Sequence, residues 1–186
     1  MLAQLGFDKD HPAVKSGLDY LRREQEADGS WYGRWGINYI YGTWSVLCAY
    51  NAAGMDMGAP EVRRAVEWVV ARQHADGGWG EDGSSYAPGK PQDPNQDSAA
   101  SQTAWALLAL MAAGEVDHPA VARGVAYLQR TQRADGLWDE AGYTGTGFPR
   151  VFYLRYHGYA KFFPLWALAR YRNLTRGNRA KVDFGM

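Results

Sequence analysis

Two stretches of the chain crowd aromatic side chains into segments that are ordinarily polar: Tyr32 to Tyr41 (YGRWGINYIY) and Tyr143 to Tyr159 (YTGTGFPRVFYLRYHGY). An aromatic face attracts a cation by ~2 kcal/mol or more once water is excluded, and unlike a carboxylate or an amine it does not readily capture it. Rings gathered this way could hold a cation, although by type alone aromatics in a helix or a packed loop are core residues more often than ligands, about two to one. Acids offer less. The segment Glu81 to Ala100 (EDGSSYAPGKPQDPNQDSAA) is rich in Gly, Pro, Ser and Asp and reads as irregular surface chain, so Glu81, Asp82, Asp93 and Asp97 are expected to be solvated. Asp93 and Asp97 are four apart, with no apolar context to raise a pKa. The single cysteine, Cys48, sits in an apolar run (VLCAY), which excludes an internal disulfide framework and a cysteine-rich metal site. No metal or cofactor is expected.

The surroundings of these residues narrow the partner. Lys and Arg together number 20, as do Asp and Glu, so no net field draws in nucleic acid, and an uncharged partner is expected. Met1 to Asp10 lacks a basic start and an apolar core, so no export signal is expected. The longest apolar run, Ala104 to Gly114, is far short of the ~20 residues that cross a bilayer. A lone thiol fits a reducing cytoplasm.

The elements that must position the aromatics follow from self-comparison. Three gapless copies of one pattern occupy 12–31, 60–79 and 119–138, each opening with Pro and closing with Trp. In each, a Gln precedes the Trp by six positions across Ala-Asp-Gly, giving the pairs Gln25 and Trp31, Gln73 and Trp79, Gln132 and Trp138. Apolar residues recur at helical spacing, as in Val14, Leu18 and Leu21, and Pro fits a first helical position. Gly29, Gly77 and Gly136 are expected to stop these helices in left-handed geometry. His11 and His118, next to Pro, read as structural. The Gln and Trp residues are assigned a structural part, the amide bonding exposed backbone at a helix end while stacking on an indole. A second, more apolar helix follows each copy, at Gly42 to Ala53, Ser101 to Ala113 and about Tyr159 to Tyr171, with Thr43 and Thr103 equivalent. The first helix of a pair carries charge on one face and the second is apolar nearly all round, which predicts an outer and an inner layer. The fold class is all-α, an open solenoid or an α-α toroid.

The Gln-to-Trp repeat is similar to the QW motif of the triterpene cyclases. SWYGRWGINYIYGT and GTGFPRVFYLRYHGYAKFFPLWALARY resemble the C-terminal part of the bacterial squalene-hopene cyclases, and the likeness covers essentially the whole chain. It implies that 1–186 are the C-terminal part of a catalytic (α/α)6 barrel, with three helical hairpins forming about half of the ring. It implies an isomerase that folds squalene into hopene or hopanol by a carbocation cascade, without cofactor, peripheral to the inner face of the cell membrane. By resemblance Trp35, Phe148, Phe152, Tyr156 and Tyr159 line the cavity, Phe148 and Phe152 face the later cations, and Leu154 shapes the wall. Tyr41 matches a tyrosine beside the protonating acid.

That acid lies in a DxDD motif in the family, and no such tetrapeptide occurs here. The chain is therefore expected to supply cavity walls without a proton donor and to depend on an N-terminal remainder of the cyclase. An incomplete ring is expected to leave inner helices such as Trp105 to Met111 short of neighbours and to favour association. The alternative is a non-catalytic toroid fragment acting as a structural or isoprenoid-binding module. A zinc-dependent prenyltransferase β-subunit shares the toroid but needs an Asp, Cys and His metal set that Cys48 is badly placed to join.

Overall fold

The computed structural model describes residues 2–87 and 97–177, so Asp93 lies outside the described residues. Among them are six α-helices: α1 (Pro12–Arg23), α2 (Tyr39–Ala52), α3 (Pro60–Ala71), α4 (Ala100–Ala112), α5 (Pro119–Thr131) and α6 (Tyr159–Thr175). Pro12, Pro60 and Pro119 each sit in the first turn, where the missing N–H costs nothing. His11 and His118 are N-caps, their Nδ1 atoms accepting from Ala13 N and Ala120 N.

The expected helix stop is displaced. α1, α3 and α5 end at Arg23, Ala71 and Thr131, ahead of the Gln, and the Asp-Gly glycines belong to tight turns that follow. Gly29 N donates to Glu26 O and Glu26 N to Ser30 O, both at 2.9 Å, which closes a reversal that needs a left-handed residue. Gly29, Gly77 and Gly136 supply it with φ of 97°, 90° and 81°.

The Gln and Trp of each copy act on backbone. Trp31, Trp79 and Trp138 are buried and donate from Nε1 to Leu21 O, Val69 O and Leu128 O, folding the turn back onto its own helix. Gln25 Nε2 donates to Gly29 O at 2.9 Å and across to Glu61 O of α3 at 2.8 Å; Gln73 repeats this with Gly77 O and Ala120 O of α5. Thr43 and Thr103 are equivalent, each Oγ1 accepting from the amide of a repeat Trp.

The two layers form, with one correction. Every residue of α4 is buried, because α4 lies between α2 and α6, so Trp105 to Met111 lack no neighbours. Apolar surface is open instead on α6, where Phe162 is 71% and Leu165 61% exposed. The all-α expectation also needs amending. Gly145–Phe148 (β1) and Phe152–Leu154 (β2) form an antiparallel hairpin that Gly36 extends through a bridge to Gly145. Pro149 and Arg150 make its turn, with Val151 N on Phe148 O and Arg150 at φ 67°.

Candidate functional site: an aromatic face on a glycine sheet

The two aromatic segments, more than a hundred residues apart in sequence, are one surface. Thr146 N donates to Trp35 O and Ile37 N to Thr144 O, both at 2.9 Å, so the isolated Gly36 to Gly145 bridge lays 35–37 alongside β1. Glycine lets rings lie on this backbone. A Cβ on Gly36 would sit 2.2 Å from the Tyr41 ring, one on Gly145 2.5 Å from Tyr156, and one on Gly147 2.0 Å from Phe152. Gly147 is also where the β1/β2 register shifts, which puts Phe148 opposite Phe152 with ring centres 5.7 Å apart.

Beneath the sheet the inner helices supply an aromatic floor. Trp105 of α4 is fully buried, stacks on Trp44 of α2 with an interplanar angle of 8°, and meets Phe163 of α6 edge-on. Tyr41 lies 5.1 Å and Tyr159 5.6 Å from Trp105, and Tyr156 is 4.8 Å from Tyr159. Tyr41, Tyr159 and Tyr156 thus form one cluster and Phe148 with Phe152 another. Trp35 joins through its backbone, its ring 57% exposed under the Arg34 guanidinium. Leu154 is half-buried at the end of β2. Burial raises the Tyr41 phenol above its ordinary 10, and burial followed by the neighbouring Tyr41 and Tyr156 raises that of Tyr159. Both stay neutral at physiological pH, so they offer ring faces and O–H donors and no anion to trap a cation.

The squalene-hopene cyclase C-terminal domain model matches residues 1–173. The chain belongs to the squalene-hopene cyclase family. The probable squalene-hopene cyclase of Sinorhizobium fredii is 67% identical over 179 residues, covering 96% of this chain and 28% of that protein. The squalene-hopene cyclase of Bradyrhizobium diazoefficiens is 64% identical, covering 100% of this chain and again 28% of the relative. A variant of the type II terpene cyclase MstE from Scytonema, solved with geranylgeranyl dihydroxybenzoate as its substrate, superposes with a TM-score of 0.55 at 28% identity, over 75% of this chain and 37% of that one. The chain therefore spans under a third of the length of these curated relatives.

Several residues that support the cyclase-family surface escape a reading by residue type. Glu81, expected to be solvated, is 3% exposed: its Oε1 accepts from Asn38 N and Ile40 N, both at 2.6 Å, at the N-terminus of α2 one turn from Tyr41. Glu140 does the same for α4 through Ser101 N and Oγ. Both stand two residues after a repeat Trp, a spacing that could have found them. Gln102, also buried, holds the 35–41 segment through Ile37 O and Glu81 O. Tyr86 donates to Gly33 O at 2.6 Å and stacks on Tyr153 of β2, joining the segments from behind. Asp97 is exposed as expected, whereas Asp82 is half-buried, its Oδ1 accepting from Ser84 N and Ser84 Oγ at a short turn. Cys48 is buried, which pushes its thiol up to about 12. Among the described residues no three His, Cys, Asp or Glu could hold a metal, and no helix is long and apolar enough to cross a membrane.

Proposed function

We propose that this chain is the aromatic wall of a squalene-hopene cyclase cavity, working within an α-α toroid of which its three hairpins are about half. The substrate is squalene, cyclised to hopene or hopanol by successive carbocations, at a site in peripheral contact with the inner face of the cell membrane. Trp35, Phe148, Phe152, Tyr156 and Tyr159 present ring faces to those cations and Leu154 shapes the wall. Tyr41, neutral and half-buried, stands beside a protonating acid that the DxDD-bearing remainder of the cyclase contributes. The observation that carries this reading is the presentation itself. Trp35, Phe148, Phe152 and Tyr156 are 43% to 57% exposed, yet the rings of Phe152 and Tyr156 lie against glycines that leave no room for a Cβ. Aromatics whose only task was packing would bury that area.

Family membership and the substrate seen with MstE support an isoprenoid ligand. The experiment is product analysis of a full-length cyclase carrying this chain as its C-terminal part, with Phe152→Ala. Losing ~2 kcal/mol of cation stabilisation slows one step roughly thirty-fold, so earlier cations lose a proton or capture water and partially cyclised products accumulate. Hopene alone, at an unchanged profile, would remove Phe152 from the cavity.

A further inference from the structure

Among the described residues Trp35 has no aromatic partner, and its indole is met only by the Arg34 guanidinium beside it. Its place is therefore set by the backbone of residues 33–36 (GRWG). That loop is drawn in at its neck. A Cβ on Gly33 would stand 2.2 Å from Asn38 O and 3.0 Å from Gly36 O, and Gly33 N donates to Asn38 Oδ1 at 3.1 Å. Gly33 and Gly36 are both buried, and a single hydroxyl spans their carbonyls: Tyr86 OH lies 2.6 Å from Gly33 O and 3.1 Å from Gly36 O, a donation shared between two acceptors. Arg34 and Trp35, between those carbonyls, are the exposed tip.

Tyr86 is itself held on several sides. It is 7% exposed, meets Tyr32 edge-on at 5.5 Å and stacks on Tyr153 at 6.1 Å with an interplanar angle of 17°. Tyr153 lies between Phe152 and Leu154 on β2; its OH donates to Gly83 O at 3.0 Å and accepts from Arg150 N of the hairpin turn at 3.2 Å. A Cβ on Gly83 would stand 2.3 Å from Cζ of Tyr153. Ser85 Oγ accepts from Asn38 Nδ2 at 3.2 Å and donates to Asp82 O at 2.9 Å. The short turn Gly83–Tyr86 thus touches both aromatic segments, the Trp35 loop through Ser85 and Tyr86 and the hairpin of Phe148 and Phe152 through Gly83. Burial, followed by the neighbouring Tyr32 and Glu81, raises the Tyr86 phenol far above its ordinary 10, so it remains a donor.

We infer that the Tyr86 hydroxyl is a positioning residue for Trp35, and that the turn at 83–86 sets the spacing between Trp35 and the pair Phe148 and Phe152. A ring attracts a cation only at short range and from its face, so the placement of the loop decides which cations Trp35 holds. Without the hydroxyl the two neck carbonyls lose their shared donor and the tip shifts, while the Tyr86 ring keeps its stack. The consequence for product choice rests on the cavity reading proposed above; the positioning itself does not.

The test places four variants in a full-length cyclase carrying this chain as its C-terminal part: Tyr86→Phe, Trp35→Ala, the two combined, and Tyr127→Phe. Tyr127 is the control, 8% exposed with its hydroxyl on Ser98 O at 2.9 Å and no aromatic partner among the described residues. Deuterium exchange at the Ile37 and Thr146 amides, which join the loop to β1, should quicken roughly tenfold in Tyr86→Phe and hold its rate in Tyr127→Phe. Tyr86→Phe should yield the by-products of Trp35→Ala, at a share below the roughly thirty-fold rise expected from losing the ring altogether. The double variant should match Trp35→Ala, since both changes act through one ring. Unchanged exchange in Tyr86→Phe overturns the inference. So do by-products that Tyr127→Phe shares, which mark a general loss of stability, and native products in Tyr86→Phe beside altered ones in Trp35→Ala. A double variant that exceeds Trp35→Ala overturns it too, because the hydroxyl then acts elsewhere. Native products in Trp35→Ala with quickened exchange in Tyr86→Phe sustain the positioning and instead remove Trp35 from the cavity.

Discussion

Replacing Glu81 by Ala removes the carboxylate oxygen on which two backbone donors of α2 converge, Asn38 N and Ile40 N, each at 2.6 Å. Asn38 is fully buried and Ile40 2% exposed, so water cannot easily replace the lost acceptor. A buried donor left unsatisfied costs ~1–3 kcal/mol, and losing a negative charge at a helix N-terminus adds ~0.3–1 kcal/mol, which puts the substitution near 4 kcal/mol. For a chain of this size each kcal/mol lowers the melting temperature by roughly 2–4 °C, so Glu81→Ala should melt about 8–16 °C below the native chain. Glu81→Gln keeps an acceptor and loses the charge, which predicts ~1–2 kcal/mol, at most half the effect. Asp82→Ala is the control one residue away, since Asp82 is half-exposed and caps only the turn at Ser84. Calorimetry and urea unfolding of the three variants provide the comparison. If Glu81→Ala stays within ~1 kcal/mol of native while Asp82→Ala costs as much or more, the carboxylate does not hold α2 and the account of how Tyr41 is positioned fails.

Trp31→Ala should cost ~3–5 kcal/mol in urea unfolding, because the indole is 2% exposed and hydrogen-bonded to Leu21 O, while a full-length cyclase carrying it keeps its product pattern; altered products at native stability would contradict the structural assignment. Gly147→Ala places a methyl 2.0 Å from a ring carbon of Phe152, so the half-exposed ring must swing out; NMR should show the mutual ring-current shifts of Phe148 and Phe152 lost, with global stability changed by less than ~3 kcal/mol. Burial works to raise the Asp28 carboxyl, yet the Ser30 hydroxyl and amide, the Trp68 indole and Arg72 outweigh it and hold the group below 3.8. A folded-state value depressed in this way contributes stability in full above the unfolded value, lost as pH falls through the folded one. Asp28→Asn should therefore flatten the decline of melting temperature below pH ~4, and an unchanged acid limb would rule Asp28 out as its source.

The repeat was legible because it is local. Pro at a first turn and helical apolar spacing act within one or two turns of chain, so α1, α3 and α5 follow from residue order, as does a structural part for the His before Pro in α1 and α5. The aromatic segments stood out by composition, and the family likeness rests on them. Glu81 was misread because its partners, Asn38 N and Ile40 N, lie more than forty residues away, and a carboxylate amid Gly, Pro and Ser gives no local sign of burial. The strands were missed for a related reason: Gly145 to Phe148 has little strand propensity of its own and is held by Trp35, Ile37 and β2. The open apolar surface shifted from α4 to α6 because apolar composition says that a helix is buried and is silent about which neighbours bury it. What the sequence by itself determined is the helical hairpin and its internal turn chemistry, both set by contacts a few residues apart. Only the tertiary structure decided that two distant aromatic segments form one glycine-backed face, since that depends on backbone hydrogen bonds between chain segments more than a hundred residues apart.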